Sequence, residues 1–393
     1  MSERPTVAIV SNSLTPYRLH LHRRIVREMP EIRLASVFTH GESNSPWRGA
    51  APPDIAPVEF GPDEPSAQQS RPRFAFHEWR KGGRIIAWLR EHGVRAVVVL
   101  GYNDPGRIRL IRWCRRNGIP CFLFGDSNIR GDRATGLKRA IKSASVPRIL
   151  SWCTGVLCCG SLGREYFQRY GVPGDRIFEF PYEPDYDRIR HVAAETIDEA
   201  RRRFALDPER RRIVYSGRLA AEKRVDLLLS AFAALAAERP NWDLILIGGG
   251  PLARTLPTQV PQALANRVQW AGFIDNQDLV SAVYRCCDVL ALPSDYEPWA
   301  VVVSEALAAG LAVVASDMVG AAPELVHHGV NGYVFPHGDV AGLAVCLREV
   351  TAPGRTEELR RAAPSVLEDW RRRSDPVAGL RRALQFAHVI GSP

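Results

Sequence analysis

The stretch Arg212-Ile213-Val214-Tyr215-Ser216-Gly217-Arg218-Leu219-Ala220-Ala221-Glu222-Lys223 decides the fold. A short β-branched run ends at Ser216, glycine permits a turn, and a helix over Val225–Glu238 starts within a few residues. Arg218 and Lys223 therefore emerge at the carboxyl end of a strand, where two cations can converge on one anion. Taken alone, two solvated surface cations are the lesser alternative.

The same alternation continues on both sides of this stretch. Downstream, strand Leu244–Ile247 precedes Gly248-Gly249-Gly250-Pro251, and strand Val268–Trp270 precedes a helix over Asn276–Cys286. Strand Val289–Leu292, helix Trp299–Ala309 and strand Ala312–Ala315 follow. Upstream, strand Thr6–Ser11, helix Arg18–Glu28 and strand Ile32–Phe38 lead into Pro52–Arg73, which has no periodicity and reads as a long loop. Helix Gly83–His92, strand Ala96–Leu100, helix Pro105–Asn117 and strands Pro120–Phe124, Val156–Cys159 and Ile177–Phe180 complete that half. The pattern breaks over Glu183–Asp187, and a charged helix over Glu195–Phe204 opens the second series. Alternating strands and helices imply parallel sheets covered on both faces. The expectation is α/β: two doubly wound, Rossmann-like domains, 1–185 and 186–375, facing across a cleft, with a closing helix in 376–393. Ligands of such sheets sit beyond the carboxyl ends of the strands.

Composition narrows the class. Of 393 residues, 46% are apolar and 24% charged, enough for real cores, so a disordered or collagen-like chain is excluded. Eight cysteines are too few for a disulfide scaffold, and two adjacent pairs in apolar stretches suit buried thiols in a reducing compartment. Met1–Pro5 does not open a secretory signal. The one tempting membrane span, Trp299–Ala315, carries Glu305 near its middle and reads instead as a buried helix followed by a buried strand. A cytoplasmic protein is expected, peripheral at most to the inner membrane face. The net charge of +9 comes from 48 Arg and 4 Lys, and the excess lies entirely in the first half. It is densest from Arg107 to Arg148, where eleven basic residues face only Asp126 and Asp132. That surface suits an anionic lipid or acidic substrate, or is merely solvated. Nucleic acid is disfavoured, since no zinc-finger spacing or RNA-binding signature occurs.

A carboxylate pair adds the chemistry. Glu297 and Glu305 lie in Pro293-Ser294-Asp295-Tyr296-Glu297-Pro298-Trp299-Ala300-Val301-Val302-Val303-Ser304-Glu305. Glu297 precedes proline and belongs to the loop, while Glu305 lies inside the following helix. Eight helical residues span at most roughly 12 Å, comparable with a nucleotide sugar. Carboxylates accept several hydrogen bonds and grip vicinal hydroxyls. A helix start near Trp299–Val301 would offer N–H groups to a phosphate. Alone, Glu305 also fits a buried glutamate satisfied by an arginine.

Together these motifs resemble the family-four retaining glycosyltransferases, which have the GT-B fold. The resemblance runs from the Ser-Gly-Arg-x3-Glu-Lys stretch through Gly248–Pro251, Val268-Gln269-Trp270-Ala271-Gly272-Phe273 and the Glu-x7-Glu pair. It continues through Ala309-Gly310 and Gly320-Ala321-Ala322-Pro323-Glu324 to Asn331-Gly332-Tyr333-Val334. In the first half, Thr15-Pro16-Tyr17-Arg18 and Gly118-Ile119-Pro120 look like members acting on cell-envelope or exported polysaccharides. The resemblance implies that Arg218 and Lys223 bind a donor diphosphate, Glu297 the transferred sugar and Glu305 the ribose. Gly217, Gly248 and Gly249 would border the donor, as would Pro298, Trp299, Ala300 and Val301. The Gly272-Phe273-Ile274 loop would lie near the base. Asn12, Thr15, Tyr17 and Arg18 would meet the acceptor, and a final helix over Pro376–Ile390 would cross back to the first domain. Three features depart from the family: Asn12-Ser13-Leu14-Thr15-Pro16 replaces a Gly-Gly loop, Ala300 stands where glycine is usual, and Asp126 replaces a histidine.

The expected reaction is transfer of a hexose from a UDP- or GDP-sugar to an acceptor hydroxyl, without a metal or other cofactor. By the resemblance, anomeric configuration is retained. Arg218, Lys223, Glu297 and Asp126 are the candidate catalytic residues, and a lipid-linked glycan is the candidate acceptor. The competing readings are a nucleotide-sugar epimerase and a non-catalytic carbohydrate or nucleotide-sugar binding module. Asp185-Tyr186-Asp187 spells a metal-binding Asp-x-Asp but falls in the linker. Gly131-x4-Gly136-Leu137-Lys138 lacks the P-loop's Lys-Ser/Thr. The pairs His20/His22 and His327/His328 lack a third ligand.

Overall fold

The structure, a computed structural model, describes residues 4–41 and 51–391. Met1–Glu3, the first residues of the stretch read as non-secretory, lie outside them. The chain divides into two units, Met1–Pro184 with Ser374–Pro393, and Asp185–Arg373.

The first unit is built on seven parallel strands: β1 Thr6–Ser11, β2 Arg33–Phe38, β3 Pro57–Glu59, β4 Val94–Leu100, β5 Cys121–Gly125, β6 Gly155–Cys158 and β7 Ile177–Glu179. Their spatial order is β3-β2-β1-β4-β5-β6-β7. Strand order reverses beside β1, the switch point at which open sheets bind ligands. Helices α1 Pro16–Glu28, α2 Ala75–Glu91, α3 Pro105–Arg116, α4 Gly136–Leu150 and α5 Gly160–Arg169 cover the sheet. One core joins Leu89 of α2, Ile111 of α3, Leu150 of α4 and Phe167 of α5 to Val97, Leu123 and Val156 of the strands. These four helices therefore form one layer on one sheet face.

Three expectations are corrected here. Pro52–Arg73 is not loop throughout: Pro57–Glu59 adds an edge strand to β2, and proline is tolerated there because an edge strand need not donate on both sides. The helix expected from Gly83 begins at Ala75, and α4 and α5 were not expected. Charge and an internal Pro147 obscure the periodicity of α4.

The second unit opens with helices α6 Tyr186–Arg190 and α7 Ala194–Arg203. Its six parallel strands are β8 Arg211–Ser216, β9 Trp242–Ile247, β10 Val268–Gly272, β11 Val289–Leu292, β12 Ala312–Ser316 and β13 Gly332–Phe335. They lie in the order β10-β9-β8-β11-β12-β13. Helices α8 Val225–Ala236, α9 Gln277–Arg285, α10 Val301–Ala308, α11 Ala322–Leu325, α12 Val340–Val350 and α13 Arg355–Arg373 surround them. Strands β11 and β12 are wholly buried, which explains their unbroken apolar runs. The reversal beside β8 puts the Ser216–Lys223 turn at this unit's switch point.

The last helix, α14 Pro376–Phe386, belongs to the first unit and packs on β7 and α1. It stops four residues before the expected Ile390. Gly379 makes the contact possible, since a Cβ there would lie 1.6 Å from the Glu179 carbonyl. Asp375 caps the helix at Ala378 N and accepts from Arg24 Nη2 at 2.8 Å.

Candidate functional site

In the second unit, the loops beyond β8, β9 and β10 are laced together by their backbones. Gly217 N donates to Ile247 O, Gly248 N to Gly272 O and Leu219 N to Gly249 O, all at 2.8–3.0 Å. Gly248 is required, because a Cβ there would meet Gly217 O at 1.9 Å while φ is +139°. Arg218 is exposed on this lattice, its carbonyl accepting from Tyr215 Oη at 2.9 Å and its guanidinium making no hydrogen bond or ion pair among the described residues. Phe273 is exposed beside Gly249. Ile274 is buried, so its side chain belongs to the core and only its backbone can border a ligand.

Lys223 and Glu297 meet. Lys223 Nζ lies 2.7 Å from Glu297 Oε2, both mostly buried. Asp295 N donates to Glu222 O at 2.9 Å, which draws the two loops together. Glu297 is held from behind: Ser294 Oγ donates to its Oε1 at 3.1 Å, its N–H donates to Met318 O, and its carbonyl accepts from Gly320 N. The carboxylate and ammonium that the resemblance assigns to sugar and diphosphate thus form one charge pair.

Helix α10 begins at Val301, two residues later than expected, because Ala300 adopts a left-handed conformation (φ +78°, ψ +77°). This is the position where the resemblance has glycine, and the reason is now visible: the backbone turns through a region that costs an L-residue about 1–2 kcal/mol. Val301 and Val302 supply the first helical N–H groups, which have no acceptor within the helix. The Trp299 indole is buried 5.6 Å from the ring of Trp370, so this residue can border a ligand through its backbone alone.

Glu305 lies one turn into α10, in a recess. Tyr284 Oη sits 2.8 Å from Ser216 Oγ and 3.4 Å from Glu305 Oε2, and Gln277 Nε2 donates to Oε1 at 3.3 Å. Burial outweighs these two long contacts and lifts the carboxyl to about 7. No arginine satisfies it among its hydrogen-bond partners, unlike the bland expectation. Tyr284, Gln277 and Ser294 were missed in the sequence. Gln277 and Tyr284, two turns apart on α9, meet Glu305 from another helix, and Ser294 meets Glu297 from the loop after β11, so nothing in the sequence around the two glutamates marks them. A cleft of about 520 Å³ lined by Glu222, Arg224, Asp226, Leu252, Leu256 and Asp295 abuts the same loop. Arg224 pairs there with Asp226 and Asp295, and none of the expected donor residues lines it.

The first unit gathers a second cluster at its strand ends. Asp126 follows β5 and accepts from Tyr182 Oη at 3.2 Å. The Tyr182 ring packs edge-on to Tyr17 at 4.8 Å and to Phe124 at 5.2 Å. Burial raises the Asp126 carboxyl, opposed by Tyr182 and by the charge of Arg18. Arg18 also donates to the Ser13 carbonyl. Asn12 Oδ1 accepts from buried Arg107, whose guanidinium burial holds down to about 10. Thr15 is buried where α1 begins, and its hydroxyl has no hydrogen-bond partner among the described residues. Tyr182 and Arg107 had no signal in the sequence.

Among the described residues, ligand atoms of His40, Glu64 and Glu78 lie within 4.8 Å of one another, as a metal site would need. Lys81 Nζ stands 3.2, 2.6 and 3.0 Å from them, so their cation is supplied by the chain itself. His22 is a core residue bonded to Ser36 Oγ at 2.7 Å and pushed down to about 3 by burial. Asp185 caps α6 at Arg188 N rather than facing a ligand.

With this geometry in view, relatives can be compared. Residues 196–364 match the family described as glycosyl transferases group 1. An uncharacterized glycosyltransferase of Methanocaldococcus jannaschii is 30% identical over 191 residues, 47% of each chain. Glycogen synthase of Mycobacterium tuberculosis is 35% identical over 185 residues, 44% of each chain. The matched segment spans less than half the length of these relatives. Among solved structures, Anabaena HepE in complex with UDP superposes with a TM-score of 0.72 at 16% identity, covering 98% of both chains. Sucrose-phosphate synthase from Thermosynechococcus elongatus does so with 0.75 at 18%, covering 97% and 99%. At such identities the structural likeness speaks for the fold alone. Over residues 196–364 the sequence of the second unit thus matches the group 1 glycosyl transferases, and the two parallel-sheet units have the architecture of the GT-B fold.

Proposed function

We propose that this chain transfers a hexose from a nucleotide-diphosphate donor to an acceptor hydroxyl in glycan synthesis, with retention at the anomeric carbon. The observation that carries the reading is the Lys223–Glu297 pair at 2.7 Å, which joins the loop that bears exposed Arg218 to the loop that leads into α10. In this reading Arg218 presents a planar fork to the diphosphate and Lys223 a point charge. The Val301 and Val302 N–H groups add a helix end. Glu297 exchanges its ammonium partner for hydroxyls of the sugar, and Glu305 accepts from the ribose. The bond from the anomeric carbon to the diphosphate oxygen breaks as the acceptor oxygen bonds to the same face. The acceptor proton passes to a donor phosphate oxygen. Cations and amides fixed beforehand favour the charge that develops on the leaving group. Asp126, held by Tyr182, is assigned to orienting the acceptor hydroxyl, with Asn12 and Arg18 nearby.

HepE has been solved with UDP and with UDP-glucose, so uridine nucleotides are the first to test. Thermal unfolding with UDP, GDP, UDP-glucose and GDP-mannose should show a shift with one base, worth about 2.7 kcal/mol at a hundredfold excess over Kd. No shift with any nucleotide refutes the donor site. A shift without transfer to any glycan fraction favours a non-catalytic binding module instead.

A further inference from the structure

Phe76, Leu137 and Ile141 are the three most exposed large apolar side chains among the described residues, at 68%, 77% and 59%. They are not scattered. Phe76 lies in the first turn of α2, and Leu137 and Ile141 lie in the first two turns of α4. Trp79 adds a further half-exposed ring that stacks on Phe76. Both helices belong to the layer on one face of the first unit's sheet, and both start after a strand ends, so these turns share the carboxyl edge. Helix α3 packs on α2 and, in the order of the strands that the helices follow, comes between it and α4.

Charge is sorted around this apolar surface. On α4, Leu137, Ala140, Ile141 and Ala144 share the outward face with exposed Lys138 and Arg148. Arg139 and Lys142 turn inward to Asp132, at 3.0 and 2.8 Å, and the Asp132 side chain is wholly buried. On α2, Arg80 and Arg84 are exposed, while Glu78 is buried against Lys81. Arg109 of α3 lies over the Trp79 ring at 3.8 Å. Asp132 and Glu78 are thus buried with cations of their own, while Lys138, Arg80 and Arg84 are left outside next to aromatic and aliphatic side chains. That pairing matches an anionic bilayer, whose headgroups meet the cations while its acyl boundary takes the apolar groups. A solvated face has no use for Leu137 and Ile141, and a nucleic-acid face none for an aliphatic pair.

We infer that the amino-terminal turns of α2 and α4 form a docking surface for an anionic lipid bilayer. This builds on the reading of the first unit as the acceptor half, since it would bring that unit to a lipid-linked acceptor. It is testable apart from catalysis. The test is flotation of the whole protein with phosphatidylcholine vesicles and with vesicles one third phosphatidylglycerol, at low and high salt. Binding to the anionic vesicles, weakened by salt, is expected. Leu137→Glu with Ile141→Glu should reduce it by about tenfold or more, and Phe76→Ser should weaken it. Val345→Glu, an exposed apolar position of the second unit, should leave it unchanged. UDP-induced thermal stabilisation serves as the control. If that persists in every variant while vesicle binding is absent, the docking surface is overturned and the donor site stands. Equal binding to neutral vesicles, or binding indifferent to the α4 variant, also overturns it. So does a concentration-dependent dimer abolished by the α4 variant without any vesicle binding, which would make the patch a contact between two copies.

Discussion

Substituting Glu305→Gln should make the protein more stable and worse at binding nucleotide at the same time. Burial lifts the Glu305 carboxyl to about 7 from an ordinary value of 4.5. Below the ordinary value the group is protonated in both folded and unfolded chains, so it costs nothing. As pH rises toward 7, the unfolded chain releases a proton that the folded chain retains, and stability falls. Above 7 the recess holds a poorly solvated anion, and the full cost is about 3 kcal/mol. Glutamine keeps the shape and can still meet Gln277 and Tyr284, without the charge. At pH 8, Glu305→Gln should therefore be more stable by up to about 3 kcal/mol, a rise of roughly 6–12 °C for a unit of this size. At pH 4 it should match the parent. UDP affinity should drop by about ten- to a hundredfold, since hydrogen bonds to a charged acceptor are worth about 1.5–3 kcal/mol. Thermal unfolding at both pH values, with UDP titration at pH 8, measures both halves. A variant no more stable at pH 8 refutes the buried-anion argument, and undiminished UDP affinity refutes the ribose role.

Arg218→Ala should leave unfolding within about 0.5 kcal/mol of the parent, because the side chain is exposed and unpaired. The same variant should lower UDP affinity at least about tenfold by titration, the loss of a charge-assisted contact. Lys223→Ala and Glu297→Ala, made singly and together, should show a coupling of about 1 kcal/mol in thermal unfolding, as expected for side chains in direct contact. Ala300→Gly should gain on the order of 0.5–1 kcal/mol, the left-handed strain relieved less the added freedom of the unfolded chain. Ala300→Val should lose stability in the same unfolding assay. Lys81→Met should destabilise the first unit by about 3–5 kcal/mol, because Glu78 is left charged and buried without its ammonium.

Where sequence reading succeeded and failed follows from how local each feature is. Strand Val289–Leu292 was delimited to the residue, because a fully buried strand writes its burial as an unbroken apolar run. Strand β3 was not, since three residues beginning with proline carry no period and are held only by pairing with β2. Helix α4 hid behind its charges: which of them face Asp132 and which face outward depends on where Asp132 is buried. The places of Arg218, Lys223, Glu297 and Glu305 in the fold were legible because one strand–turn–helix unit carries the first pair and one loop–helix unit the second. Tyr284, Gln277, Tyr182 and Arg107 were not, since each reaches its partner from a different element.

What the sequence determined by itself was the alternation of strands and helices, and hence parallel sheets with reactive groups at their carboxyl ends. Periodicity and turn chemistry are properties of neighbouring residues, so no tertiary contact is needed to read them. Only the tertiary structure decided that Lys223 faces Glu297, that Ala300 bears a left-handed turn, that Trp299 belongs to the core and that Glu305 sits where its proton is held to about 7. Burial and pairing are set by whichever segments the fold brings alongside. A side chain's charge state depends on those neighbours, not on its own place in the chain.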